Sequence, residues 1–132
     1  MIEKTITTTA ESASDELRLL TGTIVDVDPD TINRQNKNGT ITAYIELPSG
    51  FSASAIDKTS ITLNSIPANA EPMTIGDHDK DGIPDLMAKF ERRAVIPTIP
   101  AGNTAILTVS GTVLYNGKTI SFSGEDKVKI KQ

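Results

Sequence analysis

Cysteine is absent from the 132 residues. That excludes a disulfide scaffold, a thiolate zinc site, an iron–sulfur site and a thiol nucleophile. Histidine occurs once, at His78, so a multi-histidine metal site within one chain is excluded as well. Tryptophan is missing and aromatics make up only 4 %. That removes most of the aromatic platforms on which sugars stack. Basic residues do not dominate: 13 Lys and Arg face 17 Asp and Glu, for a net charge of −4. A nucleic-acid binder would carry a basic face. No apolar run approaches the roughly 20 residues of a membrane helix. The start, Met1-Ile2-Glu3-Lys4, has no apolar segment of the secretory type, so no signal peptide is expected in these residues.

What charge there is sits in one place. Asp77, Asp79, Asp81 and Asp85 lie within nine residues, offset only by Lys80. Residues 77–85 therefore carry −3, and the other 123 residues share −1. The chain reads as a nearly neutral domain with one acidic loop. Its length suits a single domain of about 100–150 residues.

Residues 1–16 are Thr- and Ser-rich and weakly patterned. They read as an N-terminal arm: either a frayed tail or an extended segment that adds a strand to a neighbouring sheet. From residue 17 to 132 the pattern has period two. Leu17, Leu19, Val25 and Val27 share one parity. Ile41, Ala43, Ile45 and Leu47 alternate with Thr40, Thr42, Tyr44 and Glu46, as a half-buried strand does. Ile61 with Leu63 and Leu86 with Ala88 and Phe90 repeat the signal. Leu107, Val109, Val113 and Tyr115 lead into Asn116-Gly117, a strong hairpin turn, and Ile120, Phe122, Val128 and Ile130 return. Gly111 and Gly124 mark bulges or close packing. Single helical turns are expected near residues 52–58 and 92–99. About seven short strands without a long helix predict an all-β, immunoglobulin-like antiparallel sandwich.

The acidic loop reads D-x-D-x-D-G-x-x-D. Alternate carboxylates repel one another unless they converge on a hard cation, and calcium takes six to eight oxygens from such loops. Asp77, Asp79 and Asp81 occupy positions 1, 3 and 5 of an EF-hand-type loop. Gly82 falls at position 6, where the chain turns sharply. Ile83 at position 7 would offer its backbone carbonyl, leaving its side chain to anchor in the core. Asp85 at position 9 would ligate directly or through water. Position 12 is Ala88, where an EF-hand has a bidentate Glu, so the closing ligand is open among Glu91, Glu71, an oxygen of another loop, or water. His78 and Lys80, at positions 2 and 4, are expected to face solvent.

This loop resembles those of thrombospondin type 3 repeats, dockerins and EF-hand-like proteins. Together with "VDVDPDTIN", "ITAYIELPSGF" and "IGDHDKDGIPDLMAKFER", the chain looks like immunoglobulin-like domains of archaeal and bacterial surface proteins that carry such a loop. The resemblance implies Ca²⁺ as the cofactor and a place outside the cell or on its surface. Thrombospondin repeats are tandem and disulfide-linked, and this chain is neither.

Asp26, Asp28 and Asp30 alternate around Pro29. They read as a strand end and turn, or as a second cation site, or as ligands donated to the first loop. Nothing supports catalysis: G-x-S-x-G, a phosphate loop and H-E-x-x-H are all absent. The sequence thus predicts a non-catalytic calcium-binding sandwich module, the ion having a structural role. Two alternatives stand beside it. One is a self-assembling subunit of a filament or surface layer that uses the arm as an added strand. The other is a carbohydrate-binding module, for which Tyr44 is the one aromatic placed on a polar strand face.

Overall fold

The computed structural model describes residues 19–78 and 80–132. The arm expected at residues 1–16, and Asp79 within the acidic loop, lie outside them. Among the described residues, ten strands form two sheets: β1 (Leu19–Leu20), β2 (Ile24–Asp28), β3 (Thr31–Asn33), β4 (Thr40–Glu46), β5 (Thr62–Leu63), β6 (Ile66–Pro67), β7 (Thr74–Gly76), β8 (Asp85–Glu91), β9 (Thr104–Tyr115) and β10 (Lys118–Lys131). One sheet runs β2-β4-β8-β7, with every neighbour antiparallel. The other runs β1-β10-β9-β5-β6, and β3 also pairs with β10. Both β1 and β3 lie parallel to β10. The first strand region thus changes sheets twice. The remaining order, four strands against a hairpin-centred sheet, is that of an immunoglobulin-like sandwich.

The alternation read from the sequence sets which faces meet. Ile41, Ala43 and Ile45 of β4 are fully buried, as are Leu86, Ala88 and Phe90 of β8. They face Leu107, Val109, Phe122 and Val128 across the sandwich in one continuous core. The expected turns are present as short 3₁₀ turns at Ala53–Ala55 and Lys58–Ser60, and as α1 (Arg92–Val95) running into a 3₁₀ turn at Ile96–Thr98.

Three details depart from the sequence pattern. Among the described residues, the run that leads to Val27 is not one strand: Gly22 takes a φ of +91° and breaks it, and Leu20, of the other parity, is buried. Tyr115 does not continue the buried row of β9 but is 39 % exposed beside the Asn116-Gly117 turn. Strand β7 had no visible pattern at all. The two internal glycines mark close packing. A Cβ on Gly111 would lie 2.7 Å from the Phe122 ring, which sits opposite it in the ladder. A Cβ on Gly124 would lie 2.5 Å from Val25.

Candidate metal centre

The acidic loop joins β7 to β8 at one end of the four-stranded sheet. Asp77 leaves β7 and closes the loop on itself. Its Oδ1 accepts from the Asp81 N–H at 3.0 Å and its Oδ2 from the Gly82 N–H at 2.8 Å. Gly82 has a φ of +89°, in the left-handed region that a side chain strains. Asp81 Oδ1 then accepts from the Ile83 N–H at 2.8 Å. These bonds set positions 1, 5, 6 and 7 of the loop in a tight turn.

Asp85 is different in kind. It is the first residue of β8, pairs with Gly76, and is 2 % exposed. Its neighbours on the same parity, Met87 and Lys89, lie on the outer face of the sheet, so Asp85 is buried outside the core. His78 covers it. The His78 N–H donates to Asp85 Oδ2 at 3.1 Å, and the His78 ring lies against Tyr44, with centroids 5.0 Å apart. Asp85 Oδ1 is buried and meets no donor. Buried acceptors are nearly always partnered, so an oxygen in this state invites a cation.

Two expected roles are corrected. The Ile83 side chain does not anchor in the core: it is 45 % exposed, and Leu86 fills the inward position instead. The reason is local, because β8 begins only at Asp85 and its first inward position falls on Leu86. Glu91 is no closing ligand for this loop. It stands at the other end of β8, six positions from Asp85, about 20 Å away at strand rise. There its carboxylate accepts from the Asn69 amide at 2.9 Å. Among the described residues, no group of three His, Asp or Glu side chains gathers tightly enough to hold an ion. Asp79, the central carboxylate of the motif, is not among them.

A second acidic patch adjoins the first. Asp26 and Asp28 of β2 share the outer face with Tyr44 and Glu46 of β4, and these border a half-open cavity of about 170 Å³ with His78, Asp85 and Ile24. Burial holds the Asp26 carboxyl above its ordinary range, and Asp126, Asp28 and Asp30 add to the effect. Asp126 comes from β10, where its Oδ2 accepts from the Val27 N–H at 2.8 Å. It occupies an edge-strand donor that would otherwise be open to another chain. Neither Glu46 nor Asp126 stood out in the sequence. The signal for Asp126 was its parity, which it shares with the inward Val128 and Ile130.

No protein-family profile matches the chain, and no curated protein does. Among solved structures, the chain is similar to a bacterial immunoglobulin-like domain from the M. primoryensis ice-binding adhesin. The identity is 18 %, over 83 % of this chain and 96 % of that one, with a TM-score of 0.47. The immunoglobulin-like assignment rests on the strand order given above.

Proposed function

We propose that this chain is a non-catalytic, calcium-binding β-sandwich module of an exported or cell-surface protein, with the ion in a structural role. The observation that carries the reading is the donor set of the β7–β8 loop. It consists of hard oxygens, which suit calcium. Asp77, Asp79, Asp81 and Asp85 would hold the ion with the Ile83 carbonyl. The donor-free Oδ1 of Asp85 fits the same purpose. Calcium would supply the positive charge that four aspartates in nine residues lack, and would tie the start of β8 to the end of β7. It would bring the loop from −3 to −1. Extracellular modules bind calcium at about 10⁻⁴–10⁻³ M, a concentration met outside cells, which favours export.

The test is thermal unfolding in EDTA and in millimolar calcium, with calorimetry alongside. Calcium should raise the melting temperature, and Asp79→Ala or Asp81→Ala should remove the rise. An unchanged melting temperature with no binding heat would reject the proposal.

A further inference from the structure

Strands β1 and β3 lie beside the same strand, β10, at its two ends. Leu19 and Leu20 pair with Ser121 and Phe122 near the start of β10, and Thr31 to Asn33 pair with Lys129 to Lys131 near its finish. Both pairings are parallel. The chain therefore passes Leu19 next to the Asn116-Gly117 turn and reaches Lys131 at the opposite end of the sandwich. Ser121 and Lys131 stand ten positions apart on β10, about 33 Å at strand rise. Tension drawn along this axis pulls β1 one way and β10 the other. Hydrogen bonds between strands run across them rather than along them. Such a pull shears the bonds together instead of opening them in turn.

Backbone pairing covers only two residues at one end of this line and three at the other. Side chains hold the middle, where β2 has crossed into the other sheet. The Val27 N–H donates to Asp126 Oδ2 at 2.8 Å, a charge-assisted bond. Val25 packs so closely on Gly124 that a Cβ there would lie 2.5 Å from it, so sliding β10 drives a bulkier neighbour into Val25. At the far end the Arg34 N–H donates to the Lys131 carbonyl and the Lys129 N–H to the Asp30 carbonyl, both at 2.9 Å. The Arg34 guanidinium, a rigid fork of donors, then spans three segments. It donates to Gln132 Oε1 at 3.1 Å, to the Ile99 carbonyl at 3.1 Å and to the Pro100 carbonyl. Gln132 Nε2 donates in turn to the Gly102 carbonyl at 2.7 Å. Bonds that only stabilise a fold can sit anywhere in it. These are gathered along the one line that joins its two ends.

We propose that the module has a mechanical function: it bears tension along its long axis, with residues 19–34 and β10 as a shear seam that Asp126 and Arg34 hold shut. The seam contains none of the aspartates of the acidic loop, so it works without calcium and does not rest on the calcium reading. Forced unfolding follows the unfolding rate. Resistance to a pull therefore depends on where the bonds lie as well as on how many there are.

The experiment holds the full chain under a fixed load in EDTA and reads its lifetime before unfolding. One handle is fixed to the N-terminus. The other is fixed either to the C-terminus or to a cysteine placed by Lys118→Cys, the protein having no cysteine of its own. Lys118 begins β10 at the end where β1 starts, so the second geometry peels the seam pair by pair. At equal load the end-to-end lifetime should be longer by about tenfold or more. Asp126→Ala and Arg34→Met should each shorten the end-to-end lifetime about fivefold, the factor that the loss of one net hydrogen bond gives. Both should shorten the peeling lifetime by less. Asn64→Ala is the control. It removes bonds to Thr98 and from the Thr108 N–H, away from the seam, and should lower stability in denaturant while leaving the end-to-end lifetime unchanged. Circular dichroism checks that each variant is folded. Equal lifetimes in the two geometries would overturn the proposal, as would an end-to-end loss in Asn64→Ala as large as in the seam variants. A chain that takes no calcium yet resists the end-to-end pull defeats the calcium reading alone. One that takes calcium but unfolds equally in both geometries defeats this proposal alone.

Discussion

Strands β9 and β10 run 12 and 14 residues and pair along almost their whole length. Around the acidic loop, β7 has three residues and β2 five. The hairpin sheet contributes long rows of buried aliphatics, while the four-stranded sheet buries one face and offers carboxylates on the other. This difference separates the part that holds the fold from the part where binding is proposed. A short strand pinned by a loop is adjustable, and a long ladder with interlocked side chains is not. The sharpest way to break the comparison is Phe122→Ala. That ring is 1 % exposed and lies over Gly111, so its loss should cost about 3–5 kcal/mol in denaturant unfolding. Ile83→Ala in the loop should stay within about 0.5 kcal/mol. Equal costs would mean that the loop carries as much of the fold as the hairpin does.

Calcium tests the other half. At a concentration of one hundred times Kd, a ligand of the native state alone adds about 2.7 kcal/mol. Hydrogen exchange should then slow most in β7, in the loop and at the start of β8. Slowing centred on β9 and β10 would place the ion elsewhere.

Asp126→Ala asks whether the two sheets communicate at their shared edge. It removes the acceptor of the Val27 N–H, and a loss of about 1 kcal/mol is expected by chemical denaturation. No loss would mean that water replaces the carboxylate freely at this edge.

The hairpin was the most legible part of the molecule. Asn116 and Gly117 take φ values of +52° and +76°, as a type I′ turn requires, and the alternation on either side survives into the structure. Strand β7 was illegible because Thr74, Ile75 and Gly76 bury no apolar row, and only pairing with β8 makes them a strand. The break at Gly22 was hidden by leucines that fit either parity. In the loop, the four aspartates and the turning glycine were plain from spacing. That Asp85 lies beneath His78, and that Asp26 and Glu46 border the same cavity, depends on the β2-β4-β8 registers. Local spacing holds no trace of those registers.

The smallest predicted effect concerns Asp26, and it carries a sign. Its carboxyl is held above the ordinary value of 3.8, by burial first and then by Asp126, Asp28 and Asp30. The native chain therefore holds that proton more tightly than the unfolded chain does. Stability falls as pH rises through the window between 3.8 and the raised native value, and the penalty persists at neutral pH. Asp26→Asn should thus stabilise the protein at pH 7, by about 0.5 kcal/mol or less, since the group is largely exposed and screened. The gain should vanish below pH 3.8, where both chains are protonated at this site. Asp57 provides the opposite sign. Its hydrogen bonds from the Thr59 hydroxyl and N–H hold its carboxyl low. It therefore favours the native state above 3.8 and ceases to as pH falls through its lowered native value. Paired pH–stability curves for Asp26→Asn and Asp57→Asn should consequently differ from the parent in opposite directions at neutral pH. Curves that shift together would show that net charge, rather than the crowding of carboxylates on this face, governs the acid response.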